Sequence, residues 1–199
     1  WDETVPAPYG DLTYADASFY TVSVTAPAGV MLIASGSQVP AGSVSNAPQT
    51  EFRLGPARDF MLVAAREFTL QSQTVGEVTV NAYAPAGLAQ FNRQALETAA
   101  AALTIFSQRY APYPYTELDV VATPTLASGV EYPGLIAIAK NLYSSEAPAF
   151  YLEAVVAHEV GHQWFYNLVG NDQLNQPWLD ESLTQFITWQ YYADRYGPA

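Results

Sequence analysis

The sequence predicts an α+β protein in which the strands come first and the helices carry the chemistry. Up to about residue 84, apolar and polar residues alternate with a period of two, the signature of half-buried strands. From there the apolar spacing lengthens to three and four residues, the period of an amphipathic helix. Half of the 199 residues are hydrophobic, 14% are aromatic and only 13% are charged. That is enough apolar surface for a core and too little charge for a disordered chain.

In the first region Tyr20, Val22 and Val24 alternate with Thr21, Ser23 and Thr25, and Phe68 and Leu70 with Thr69 and Gln71. Val78 and Val80 alternate with Thr79 and Asn81. The intervening Ala26-Pro27-Ala28-Gly29, Val39-Pro40-Ala41-Gly42 and Gly55-Pro56 read as turns. The Ser-, Gly- and Pro-rich stretch 36–50 reads as an exposed loop. Together these give an antiparallel β-region of sandwich or saddle type.

After Ala84-Pro85-Ala86-Gly87, the residues Leu88, Phe91, Ala95, Ala99, Leu103, Phe106 and Tyr110 define one helix, ended by Pro112 and Pro114. Its Ala99 to Ala102 run suits close helix packing. Leu118 to Ala122 and Leu135 to Ala139 are short apolar runs that read as strands. A helix is expected from about Pro148 to Leu168, a loop over Gly170 to Pro177, and a last helix from about Trp178 to Tyr196 with Gly197-Pro198 as its stop. Gly161 costs its helix about 1 kcal/mol relative to alanine, so a strand or a bound ion nearby is expected to need the space.

Nineteen acidic against seven basic residues give a net charge of −12. Nucleic acid and anionic membranes would be repelled, whereas a cationic partner such as a peptide amino terminus is compatible. No apolar run reaches the roughly 20 residues that span a bilayer. With no cysteine there is neither a disulfide framework nor a thiolate metal site, which leaves the compartment open.

The only two histidines form His158-Glu159-Val160-Gly161-His162, and Glu181 follows nineteen residues after the second. Residues four apart share a helix face, so both imidazoles can reach one ion. Two histidines placed at random in this chain fall four apart about 1 time in 100, and a glutamate after the first lowers that to about one in two thousand. Zinc suits the set: His158, His162 and Glu181 as three ligands with one position open for water, one ion per chain. Glu159 stands where its carboxylate can take a proton from that water.

His158-Glu159-Val160-Gly161-His162-Gln163-Trp164-Phe165, followed by Trp178-Leu179-Asp180-Glu181, resembles the gluzincin aminopeptidases of the aminopeptidase N and leukotriene hydrolase type. Tyr113-Pro114-Tyr115 through Val121 is similar to the segment entering the family's peptidase sheet, and Arg58-Asp59-Phe60 to the end of its amino-terminal β-domain. Ser128-Gly129-Val130-Glu131-Tyr132-Pro133-Gly134 lies where the family carries Gly-x-Met-Glu-Asn, with Val130 and Tyr132 in place of Met and Asn. The resemblance implies a zinc-dependent removal of N-terminal residues from peptides, with Glu159 as general base. It implies that Glu131 binds the substrate's free α-amino group and that Gly129 lets the backbone approach the substrate. Asp180 stands where the family has Asn and receives no role.

The same resemblance implies two parts: residues 1–84 as the end of the amino-terminal β-domain, and residues 85–199 as the incomplete first part of a thermolysin-like catalytic domain. The family's tyrosine that stabilises the tetrahedral intermediate lies several dozen residues beyond the third ligand, whereas this chain stops 18 residues after Glu181. With Trp1-Asp2-Glu3-Thr4 at its start, the chain is expected to be a fragment that binds zinc but turns over substrate poorly. The alternatives are a zinc endopeptidase of thermolysin type and an inactive protein-binding module with a structural metal.

Overall fold

The computed structural model describes residues 15–39 and 49–197, and these form the expected α+β arrangement. The Pro40-Ala41-Gly42 part of one expected turn, Pro198 and the Trp1 to Thr4 start lie outside the described residues.

Two small antiparallel sheets come first. β1 (Ser18–Thr25) pairs with β4 (Gln49–Ala57), which also pairs with β3 (Ser37–Val39). β2 (Met31–Ala34) pairs with β5 (Leu62–Ala65). Two expectations are corrected here. Gly55-Pro56 is not a turn but lies inside β4, joined by a cis peptide, where the register against β1 shifts between Ser18 and Tyr20. Such a shift is where a strand tolerates a proline that cannot donate to the ladder. The stretch 36–50 is likewise not all loop, since both of its described ends enter strands β3 and β4.

The main sheet has five strands in the order β6-β7-β8-β10-β9. β6 (Phe68–Val75) and β7 (Val78–Pro85) form a hairpin, and β7 runs parallel to β8 (Glu117–Thr123), which runs parallel to β10 (Leu135–Ala139). A parallel pair needs a crossover, and α1 (Ala89–Arg109) supplies the one between β7 and β8. The change of period near residue 84 marks the passage from strand β7 to helix α1, and β6 and β7 belong to the same sheet as β8. β9 (Gly129–Tyr132), which the apolar pattern does not reveal, lies antiparallel to β10 as the edge strand.

One face of this sheet packs against helices. Val80, Leu118, Val120, Ile136 and Ile138 meet Ala95, Leu96, Ala99 and Phe106 of α1, together with residues of α2 (Tyr151–Gly161) and α3 (Trp178–Tyr196). Val121 and Leu135 point to the other face, where Ile33 of β2 and the flanking Val63 and Tyr83 cover them. Cover on both faces explains why β10, and Val120 to Ala122 of β8, read as unbroken apolar runs rather than alternating ones. Each large aliphatic side chain so buried contributes about 1.5–3 kcal/mol.

The helix expected from Pro148 to Leu168 is shorter than its pattern suggests. α2 stops at Gly161, and residues 162–169 follow as tight turns in which Val169 N–H donates to the Trp164 carbonyl at 2.8 Å. Side chains hold the backbone off the helical path. The Trp164 indole donates to the Ala111 carbonyl at 2.8 Å, and the buried Gln163 donates to the Tyr132 carbonyl at 3.0 Å and accepts from Gly134 N–H at 2.9 Å. Tyr166 sits at φ 137°, a strained setting for a residue with a side chain, and its hydroxyl is bound by Asp59. Among the described residues, no helix is long and apolar enough to cross a membrane.

Candidate metal centre

α2 is apolar around nearly its whole circumference because it lies between the sheet and two helices, with Val155, Val156, Val160 and Gly161 buried. Its exit at the C-terminal end presents both imidazoles to one point. His158 occupies the last turn and His162 caps the helix, and their Nε2 atoms are 3.1 Å apart. Glu181 reaches the same point from the first turn of α3, with Oε2 3.2 Å from His158 Nε2 and Oε1 3.8 Å from His162 Nε2.

These distances can be tested against a tetrahedral ion. Donors about 2.0–2.1 Å from a zinc would lie about 3.3–3.4 Å from one another. His158 Nε2 lies 3.1 Å from His162 Nε2 and 3.2 Å from Glu181 Oε2, both close to that value, and the other Glu181 oxygen lies 3.8 Å from His162 Nε2. The tautomer agrees as well. His162 Nδ1 lies 3.0 Å from the Phe165 carbonyl, which can only accept, so the proton is on Nδ1 and the Nε2 lone pair faces the other donors. The Thr184 hydroxyl, 3.2 Å from the same nitrogen, supports this orientation from α3. Burial and the neighbouring His158 hold the His162 imidazole below its usual titration range, which keeps it in the neutral, ligating form. Glu181 is held below the usual carboxylate range, chiefly by its hydrogen bond with His158.

Helix docking sets the third donor's position. A Cβ on Gly161 would stand 2.9 Å from the Ile187 Cδ1 and Thr184 Cγ2 atoms of α3. The space it leaves serves neither a strand nor the ion directly, as the sequence suggested, but the close approach of the helix that carries Glu181.

Glu159 is 6% exposed, and its carboxyl is pushed well above its ordinary range by burial and then by the charges of Glu131 and Glu181. It lies against Gly129, where a Cβ would be 2.2 Å from Glu159 Oε1. Gly129 thus makes room for this carboxylate, a contact that the expected backbone-to-substrate role does not include. Glu131, on β9, brings a ligand atom within 4.8 Å of those of Glu159 and His162. Its carboxyl is pushed up to about 7, mainly by burial, with its own backbone hydrogen bond opposing and Glu181's charge adding.

Further residues of the site were not legible beforehand. Gln173, in the loop before α3, is buried and donates to Glu131 Oε1 at 3.0 Å and to Asp180 Oδ2 at 2.8 Å. Asp180, given no role from sequence, is buried and also accepts from Asn171 Nδ2 at 2.7 Å. The sequence signal was a run of amide and acidic side chains, Asn171 to Gln176, in a loop that otherwise only connects two helices. Four carboxylates and two imidazoles therefore converge, a concentration of acidic groups that would attract a cation.

The Peptidase family M1 domain model matches residues 94–198, just over half of the chain and the part that holds all of these groups. The chain is 34% identical over 139 residues to Aminopeptidase M1-A of Oryza sativa subsp. japonica, covering 65% of this chain and 16% of that protein. It is 34% identical over 131 residues to Aminopeptidase M1 of Arabidopsis thaliana, covering 62% and 15%. Against Aminopeptidase N of Oryctolagus cuniculus it is 31% identical over 130 residues, covering 60% and 14%. It thus spans well under a fifth of the length of these curated relatives. On this match and this arrangement of side chains, the chain belongs to peptidase family M1.

Proposed function

We propose that this chain carries the metal-binding part of a zinc aminopeptidase, with His158, His162 and Glu181 holding one zinc ion. The observation that supports the reading is the convergence of three side chains, His158 Nε2 lying 3.1 Å from His162 Nε2 and 3.2 Å from Glu181 Oε2, flanked by the buried Glu159 and the half-buried Glu131. When bound, zinc supplies Lewis-acid chemistry, polarising a peptide carbonyl and acidifying water. Glu159 is the general base: it takes the proton from the attacking water and returns it to the departing amine. Burial makes its carboxylate basic enough for that exchange.

Glu131 would receive the substrate's α-ammonium. An anion fixed beside the scissile carbonyl selects a charged N-terminus and turns an endopeptidase-like site into an exopeptidase one. Gly129 would keep the Glu159 carboxylate in line with that carbonyl. In this reading residues 1–84 close an amino-terminal β-domain and residues 85–199 open a thermolysin-like catalytic domain, the β6–β7 hairpin bridging the two. The test is the cleavage pattern of the full-length protein on a peptide with a free amino terminus and on its N-acetylated form. Release of single residues from the first only supports the reading; internal cleavage of both would replace it with an endopeptidase.

A further inference from the structure

β9 and the start of α3 are far apart in sequence, yet one side chain joins them at the site. Gln173 is 5% exposed, and its amide nitrogen donates to Glu131 Oε1 at 3.0 Å and to Asp180 Oδ2 at 2.8 Å. An amide nitrogen carries two hydrogens, and here each goes to a carboxylate. Asp180 is 3% exposed and is held in turn by Asn171 Nδ2 at 2.7 Å, which also donates to the Gln176 carbonyl at 3.1 Å. We propose that Gln173 is a positioning residue that fixes the Glu131 carboxylate, and with it the site for a substrate's α-ammonium group. The proposal rests on the reading of Glu131 as the amine anchor.

The chemistry of the linker is suited to that task. Glu131 lies on a four-residue edge strand, paired on one side only, and a glutamate there has three torsions to fix. Gln173 accepts that cost before substrate arrives. Being uncharged, it orders two carboxylates without neutralising either, so the pair keeps its attraction for an incoming cation; an arginine in its place would compete with the substrate. It takes up one Glu131 oxygen, Oε1, at 3.0 Å.

The experiment is calorimetric binding of an amino-acid hydroxamate and of its N-acetyl counterpart to the zinc-loaded protein. Wild type is compared with Gln173→Met, Glu131→Gln and the double variant. Wild type should prefer the free amine, and Gln173→Met should shrink that preference about tenfold, the usual effect of losing a hydrogen bond to a charged group. N-acetyl affinity and zinc content should stay unchanged, and the double variant should lose no more than Glu131→Gln alone. An intact preference in Gln173→Met, losses that simply add, or zinc lost from Gln173→Met would overturn the proposal. Equal binding of both hydroxamates by wild type would instead sink the anchor reading itself, and the proposal with it. Should Gln173→Met fail to fold, Gln173→Asn keeps the amide but withdraws it by one methylene, and the same preference is read.

Discussion

Gly161→Ala tests how the third donor is held. The substitution adds one methyl to a helix where alanine is intrinsically favoured by about 1 kcal/mol. In this fold the new Cβ would meet Ile187 Cδ1 and Thr184 Cγ2 at 2.9 Å. Ordinary carbon contacts lie at about 3.5–4.0 Å, so α3 has to retreat by about 0.6–1 Å unless both side chains rotate. Overpacking of this size costs about 1–3 kcal/mol, which leaves a net destabilisation of about 0–2 kcal/mol after the propensity gain. Metal sites tolerate only about ±0.2 Å in ligand distance. The same retreat would carry Glu181 away from the imidazoles, with an expected loss of about 10–100-fold in zinc affinity, as for other losses of support around a metal. Denaturant unfolding of the metal-free protein and competition titration against a chromophoric chelator read the two effects separately. A variant stabilised by about 1 kcal/mol with unchanged zinc affinity would refute this account, because alanine would then show only its intrinsic helix preference.

Other outcomes follow from the same geometry. Gly129→Ala should leave zinc content near wild type and lower the full-length protein's kcat at least about a hundredfold, the scale of losing a general base, since its Cβ would overlap Glu159 Oε1 at 2.2 Å; equal kcat in the two proteins would contradict the contact. Thr184→Val should weaken zinc binding about tenfold by loosening the support of His162, measured by the same chelator competition. The metal-free protein should become less stable as pH rises from about 4.5 toward 7. Glu131, Glu159, Asp119 and Glu117 are all pushed up by burial, so the folded state holds more protons than the unfolded state across that window, and the slope of stability with pH is negative. His162, pushed down, works in the opposite sense below its ordinary value. Denaturation midpoints measured across that range in chelator, and found to rise with pH, would contradict the balance drawn here.

The helices and the clustering of His158, His162 and Glu181 were legible because their signals are local. Trp178 to Tyr196 matches α3 end to end, and the His158/His162 spacing lies on α2 as the four-residue repeat requires. What escaped depends on contacts distant in sequence. The end of α2 at Gly161 is imposed by Trp164 reaching Ala111 and Gln163 reaching Tyr132, partners that a helical period cannot reveal. β9 is short, polar at Glu131 and at an edge, so it lacks the apolar run that marked β10. Gly55-Pro56 has the residues of a turn, but pairing with β1 carries the strand through it. The same holds at the site. Gln173, Thr184 and the Phe165 carbonyl act through hydrogen bonds across loops and helices, and Asp180 had no meaning until Gln173 and Asn171 were seen on its two oxygens.

Everything proposed for this site depends on a zinc ion held by His158, His162 and Glu181. Elemental analysis of protein purified without added metal, with His158→Ala alongside, tests it directly. The account predicts one zinc per chain in the wild type and loss of that zinc in the variant. Protein that remains folded but takes up no zinc, even after incubation with it, or a variant that keeps its zinc, would contradict it.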